Sequence, residues 1–236
     1  MRPELIRFAE LSSTMETAHA HAQDGAAHGT TIIADRQSVG RGTRGRAWSS
    51  ELGGLWMSVV ARPGRTDALE ALSLRVGLAV AVALELSTPA LPRLGIKWPN
   101  DIVVDGRKLA GILCEARWGG GQCLWVVIGI GVNICNPVPP ELEGVAVAIS
   151  AWDLGADPVA LAAPIGAAIG LAARGAGPLS DAELRDFALR DALSGARVSE
   201  PVAGSAEGIS ASGALRVRTD AGTVREVLAG VVAGPR

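Results

Sequence analysis

Asp105-Gly106 stands between two short apolar segments, Ile102 to Val104 and Lys108 to Ala116. An Asp-Gly pair in that setting predicts a type I′ hairpin, because both central residues must take positive φ. Strands joined by a two-residue turn are antiparallel, so a purely parallel doubly wound sheet is disfavoured from the outset. Other strand patterns surround the pair. Thr30 to Ala34 (TTIIA), Leu55 to Ala61 (LWMSVVA) and Ile96 to Trp98 are short, and Leu124 to Ile134 (LWVVIGIGVNI) is long. Gly129 and Gly131 interrupt that last strand, which points to close approach of another backbone or a ligand. Helical patterns alternate with these strands. Ser13-Thr14-Met15-Glu16 fits a capping box opening a helix towards Gly25. Asp67 to Leu86 carries charge only at Asp67, Glu70, Arg75 and Glu85, so it reads as one largely buried helix. Two more helices are expected over 158–173 and 180–193, with Asp181, Glu183, Arg185 and Asp186 as a solvated face of the second. Beyond Gly195 the texture changes to short alternating runs spaced by Gly204, Gly208, Gly213 and Gly222, the pattern of a small β-barrel. The expectation is an α+β chain: a mixed β-sheet packed with helices over residues 1–194, then a small barrel over 195–236.

Composition narrows the function. A chain of 236 residues can bury about 70% of its unfolded surface without a disulfide or metal. With 48% hydrophobic and 19% charged residues it is not a disordered chain. Lys+Arg 22 against Asp+Glu 24 gives net charge −2, so no bulk field draws nucleic acid or an anionic membrane, and phosphate chemistry would need a local cluster. Cys114, Cys123 and Cys135 are odd in number and lack C-x-x-C spacing, which argues against a disulfide framework or a zinc site and suits a reducing, cytoplasmic setting. His19 and His21 fall on different faces of their helix and do not read as metal ligands. The N-terminus lacks the apolar core of a signal peptide, and the uncharged stretch Pro158 to Ala173 is too short to span a membrane.

Two strings carry candidate chemistry. Gly40-Arg41-Gly42-Thr43-Arg44-Gly45 matches G-x-G-x-x-G, yet Arg46-Ala47-Trp48 and a strand follow it. Without a helix N-terminus there is no dipole for a pyrophosphate in the dinucleotide manner. The loop still offers the guanidinium forks of Arg41, Arg44 and Arg46, with glycines that let backbone N–H groups approach an anion; taken alone, a solvated basic turn explains it equally well. In Lys97-Trp98-Pro99-Asn100-Asp101, a lysine at an apolar strand end would be partly desolvated, which favours an anionic partner. The alternative is a strand end with Lys97 reaching out to water. Lys108 to Ile112 brings a second lysine and Gly111 one hairpin later, and Gly129 to Asn133 ends the long strand on a polar side chain.

In order and spacing, Ser13-Thr14, Gln37, GRGTRGRAW (40–48), GLWMSVV (54–60), KWPNDIVVDGRKLAGILCE (97–115) and IGIGVNI (128–134) resemble the biotin–protein ligase family. The resemblance covers nearly the whole chain and is weakest over 151–195. It implies a fold related to class II aminoacyl-tRNA synthetases with an SH3-like C-terminal barrel. It also implies two half-reactions: biotin's carboxylate attacks the α-phosphate of Mg-ATP, and a lysine of a biotin carboxyl carrier protein then takes biotin from the adenylate. ATP and Mg²⁺ act as substrates, and no tightly bound cofactor is implied. By position, biotin would meet Ser13, Thr14, Gln37, Arg41, Gly42, Thr43 and Lys97, with Lys97 and Arg41 as the catalytic cations. The nucleotide would meet Arg44, Arg46, Trp48 as a stacking wall, Asn100, Lys108, Gly111 and Asn133, with Asp101 beside the metal. The simpler roles, Ser13 as a helix cap and Trp48 as core, stay open. Thr43 departs from the G-R-G-R form common in the family, and Met15 stands where Asn is common. The pattern begins at Ser13, so the helix-turn-helix domain of the family's repressors is not expected. A homodimer is compatible with the sequence but not dictated by it. A lipoate or octanoyl ligase shares the fold but would carry an R-x-S-G-G-G-like string, and a non-catalytic biotin-binding relative would not need Lys97, Arg41 and Gln37 together.

Overall fold

A computed structural model of the chain describes residues 2–63, 66–230 and 232. Its strands are β1 (Leu5–Leu11), β2 (Thr31–Gln37), β3 (Leu55–Ala61), β4 (Gly95–Lys97), β5 (Asp101–Val104), β6 (Arg107–Gly119) and β7 (Gln122–Val132). They form one mixed sheet in the order β1-β2-β3-β7-β6-β5-β4. β1 and β2 run parallel and every other neighbour is antiparallel. The turn between β5 and β6 has positive φ at both Asp105 (49°) and Gly106 (74°), as the Asp-Gly pair requires.

Period-two alternation gives this sheet two faces. Leu55, Met57, Val59, Ile112, Ile128 and Ile130 point to one face and share a core with α2 (Leu72–Ser87) and α3 (Pro158–Ala172). Ile32, Val60 and Val127 point to the other, where Met15, Ala18 and Ala22 of α1 (Thr14–Gln23) cover them. The second face is only partly covered by α1, and the rest of it forms a cleft.

Several expectations change. β1 was not anticipated, because its alternation is faint and it lies exposed at the sheet edge. The long helix expected from Asp67 begins instead at Leu72. Thr66–Leu69 forms a 3-10 turn, and Ala71, at φ 50°, breaks the helical path between them. Ser13 occupies the N-cap of α1 without bonding through its side chain, and Ser12 Oγ reaches Glu16 Oε2 at 3.1 Å, so the expected capping box is absent. A complete capping box closes between Ser180 and Glu183 at the start of α4 (Asp181–Ala188), which ends sooner than residue 193. Glu183 is not on a solvated face, for its Oε1 lies 2.5 Å from Nε of the buried Arg75.

The C-terminal segment forms β8 (Arg197–Val198), β9 (Gly204–Ile209), β10 (Leu215–Arg218) and β11 (Val224–Val227). These make an antiparallel sheet in the order β11-β10-β9-β8. The sheet is open and does not close into the barrel that the glycine spacing predicted. Among the described residues its edge strands do not pair, and a two-residue β8 is too short to complete the tilt and stagger that closure demands. Its apolar side, Ala206, Leu215 and Val217, joins the main core.

Candidate functional site

Glycines shape the floor of the cleft. β6 and β7 place Gly111 opposite Gly131 in register. A Cβ on Gly131 would lie 2.6 Å from Trp48 Nε1, and one on Gly129 would lie 2.5 Å from Met15 Sδ. Both gaps are closer than side-chain atoms tolerate, so only glycine lets Trp48 and α1 settle on the sheet. Met15 is therefore a packing residue at the cleft edge. Above this floor is a cavity of about 620 Å³, within the range of sites that bury a small ligand.

At one end, α1 meets β2. The Thr14 backbone N–H and hydroxyl both donate to Gln37 Oε1, at 2.7 and 3.1 Å. With the Thr14 proton so committed, the buried Ser58 hydroxyl 2.9 Å away is the donor of that pair. Gln37 Nε2 donates to Ser50 Oγ at 2.8 Å, which donates to Trp48 O at 3.2 Å. This chain fixes Gln37 at the cavity wall. Ser13 lies beside it, 1% exposed, and its Oγ is a buried polar atom without a hydrogen-bond partner. Such an orphan at a cavity wall costs free energy unless a ligand satisfies it, which fits a polar ligand there.

The arginine-glycine loop folds back on itself. Trp48 N–H donates to Gly40 O at 2.9 Å and Gly42 N–H to Arg46 O at 2.8 Å, with Arg41 and Ala47 bridged between them. A single 3-10 turn over Thr43–Gly45 forms the tip, where Arg44 has φ 59°. Arg41 Nη2 donates to Glu115 Oε1 at 2.9 Å, while Arg46 Nη2 donates to Thr43 Oγ1 at 3.1 Å. Arg41, Gly42, Thr43, Arg44 and Arg46 all line the cavity.

The opposite wall comes from the hairpin of β4 and β5, where Lys97 pairs in register with Asp101. Lys97 is half-buried, lines the cavity and makes no ion pair among the described residues. Asp101 pairs instead with Lys108, Nζ to Oδ1 at 2.5 Å. The Lys108 ammonium also stands 5.0 Å from the centre of the Trp48 ring. Asn100 faces the cavity but its amide is engaged, Nδ2 donating to Ile112 O at 2.7 Å.

Fourteen of the fifteen residues singled out in the sequence therefore line one cavity. Asn133 does not: it is buried beyond the cavity and its Oδ1 accepts from Asn136 Nδ2 at 3.1 Å. β7 ends at Val132, so the alternation that turns Gly129 and Gly131 to the cleft does not carry to Asn133. Sequence reasoning missed Ser50 and Ser58, which only tertiary pairing brings to Gln37. It also missed Glu115, for which period two offered a signal: Gly111, Leu113 and Glu115 share a face of β6. As for a metal, among the described residues Asp101 is the sole carboxylate lining the cavity, and it is held by Lys108. Among the described residues no group of three or more His, Cys, Asp or Glu could hold an ion. The donor set thus suits a metal that arrives already bound to phosphates, not one caged by protein.

The fold and the cleft together define an α+β protein with an indole-walled pocket lined by Arg41, Arg44, Arg46, Lys97 and Lys108. Residues 7–133 match the biotin/lipoate A/B protein ligase family, and residues 196–233 match the biotin protein ligase C-terminal domain. The chain belongs to the biotin/lipoate A/B protein ligase family. It is 40% identical over 158 residues to the bifunctional ligase/repressor BirA of Bacillus subtilis, covering 64% of this chain and 47% of that protein. It is 42% identical over 106 residues to the biotin–[acetyl-CoA-carboxylase] ligase of Paracoccus denitrificans, 44% of each. The chain thus spans about half the length of the curated relatives it matches. Among solved structures, the biotin protein ligase from Aquifex aeolicus in complex with biotin and ATP is similar at TM-score 0.83 and 27% identity, over 99% of both chains. No helix among the described residues is long and apolar enough to cross a membrane.

Proposed function

We propose that the chain is an ATP-dependent biotin–protein ligase that activates biotin as its adenylate and passes it to a lysine of a carrier protein. The observation that carries this reading is one cavity with two chemically distinct ends. Ser13, Thr14 and Gln37 form a neutral polar end suited to biotin's ureido head, with Gly42 and Thr43 as neighbours. Trp48, Gly111 and the loop arginines Arg44 and Arg46 form an end suited to adenine and phosphates. Lys97 and Arg41 bind the two anions where these ends meet. A carboxylate oxygen of biotin attacks the α-phosphorus, the bond to the pyrophosphate oxygen breaks, and negative charge builds on the phosphoryl oxygens. Fixed cations stabilise that charge more in the transition state than in the ground state. Mg²⁺ would enter as part of the nucleotide substrate, and Asp101 on the cavity wall is the carboxylate that would face it. Asn100 shapes the wall through its bond to Ile112 O. The acceptor is a carrier-protein lysine, whose amine attacks the mixed anhydride and releases AMP.

The domain boundary is drawn at 194/195, supported by the start of the C-terminal family match at residue 196. Three free cysteines support a reducing, cytoplasmic setting. Biotin-dependent exchange of pyrophosphate into ATP by the pure protein tests the reaction, with lipoate and octanoate as competitors. Exchange driven by lipoate instead of biotin would transfer the reading to the other branch of the family. Within the biotin reading, Lys97→Ala is expected to lower exchange at least tenfold while the circular dichroism spectrum is retained. A charge-assisted contact at a site shielded from water contributes roughly 1.5–3 kcal/mol. Wild-type exchange in that variant would remove Lys97 from the chemistry.

A further inference from the structure

Past the cavity, the face of β6 that carries Gly111 and Leu113 continues to Glu115, and the same face of β7 continues to Trp125. α1 runs across this face. Met15 sits over Gly129, and one helical turn on, His19 sits over the Glu115 and Trp125 side chains. Trp125 Nε1 can only donate, and it donates to His19 Nδ1 at 3.0 Å. A neutral His19 with Nδ1 accepting must carry its proton on Nε2. That nitrogen lies 3.4 Å from Glu115 Oε2, within ion-pair reach but outside hydrogen-bond geometry, and it is buried with no other partner. The other oxygen of Glu115 accepts from Arg41 Nη2 at 2.9 Å. One carboxylate thus joins the base of the arginine-glycine loop to α1 and the sheet.

We infer that Glu115, backed by His19 and Trp125, is a positioning residue that holds Arg41 with its remaining guanidinium N–H groups turned to the cavity. This inference rests on the reading of Arg41 as a substrate cation. Engaging Nη2 on Glu115 leaves Nε and Nη1 to meet an anion, and it removes rotamer freedom that binding would otherwise have to take away. The charged groups around His19 are Glu115 and Arg117 from β6 and Arg41 from the loop, while β7 contributes the uncharged Trp125. Burial and Arg117 hold the imidazole below its ordinary range, against the pull of Glu115. Protonation of Nδ1 would leave Trp125 Nε1 without its acceptor, so acid should loosen the assembly.

The test uses the whole chain and two readouts. In ligand-free protein, Glu115→Gln should speed amide exchange over residues 40–47 at least threefold. It should also raise KM for biotin three- to tenfold, more than it lowers kcat. His19→Leu should move both in the same direction, whereas His19→Gln, which keeps a donor at the Nε2 position, should stay near wild type. In the wild type, KM for biotin should be flat through neutral pH and rise only below the usual histidine range, and His19→Gln should remove that rise. Unchanged loop exchange and KM in Glu115→Gln and His19→Leu would overturn the inference. So would a lower KM in Glu115→Gln, which would make Glu115 a competitor of the substrate. The loop measurement needs no activity, so a wild type without biotin-dependent exchange would refute the proposed function while the exchange data still decide whether Glu115 anchors Arg41.

Discussion

At Gly131 the absence of a side chain decides where an aromatic ring can lie. Trp48 rests its indole edge against that position, so Gly131→Ala must push the ring away from the floor. Overpacking of this kind costs about 1–3 kcal/mol, and in the proposed reaction the displaced wall faces the nucleotide. KM for ATP should rise about tenfold and KM for biotin much less, as steady-state kinetics with each substrate varied will read. Thr43 poses the opposite question, a neutral hydroxyl in a loop that carries Arg41, Arg44 and Arg46. Arg46 already reaches it, with Nη2 on Thr43 Oγ1 and Nε 3.4 Å from Thr43 O. On the proposed reading Arg46 is the guanidinium expected to substitute, while Arg44 extends from the exposed tip at positive φ. Arg46→Ala should shorten retention of the adenylate about tenfold, the equivalent of about 1.4 kcal/mol. Thr43→Arg should change it less than threefold. Release of adenylate from the loaded protein, followed after a biotin chase, measures both.

At the scale of elements, the start of α2 and the cap of α4 depend on each other. Arg75 is 7% exposed in α2 and satisfied by Glu183 together with the carbonyls of Gly177 and Pro178. Burial would raise the Glu183 pKa, but the Arg75 hydrogen bond and those from Ser180 outweigh it and hold the group below its ordinary value. A carboxylate depressed on folding contributes stability at neutral pH that is lost as pH falls through its folded pKa. Glu183→Gln should therefore destabilise by roughly 2–4 kcal/mol at about pH 7, since it leaves the Arg75 charge buried. Urea unfolding at about pH 7 and about pH 3.5 should show the gap between variant and wild type shrinking in acid. This pairing was not legible in sequence, where Asp181, Glu183 and Arg185 look like any solvated helix face. The Ser180 to Glu183 spacing was visible, but its partner is more than a hundred residues away. The box expected at Ser13 had the same spacing and did not form. Ser13 is buried against the cleft, so its hydroxyl is directed by the site and not by the helix end.

For the whole molecule, Trp98 joins the two sheets. It follows the cleft lysine in sequence, is 2% exposed, and its Nε1 donates to Gly213 O at 2.9 Å ahead of β10. Trp98→Phe should cost about 1–3 kcal/mol, because it strands a buried carbonyl. It should also hasten proteolytic cleavage within residues 195–230 and raise KM for both substrates severalfold. An unchanged cleavage rate would mean that core continuity alone holds the small sheet. The antiparallel hairpin at Asp105-Gly106, the cationic strings and the mark of a close approach at Gly129 and Gly131 were legible in the chain order. They concern residues within a few positions of one another, or side chains that are absent, and such features are written into the chain itself. The open C-terminal sheet, the burial of Ser13, the diversion of Asn133 to Asn136 and the path from Trp125 through His19 and Glu115 to Arg41 were decided by folding. Each depends on which distant surfaces meet and which polar atoms then lack water. No local pattern records that, because burial is a property of the packed molecule and not of any residue in it.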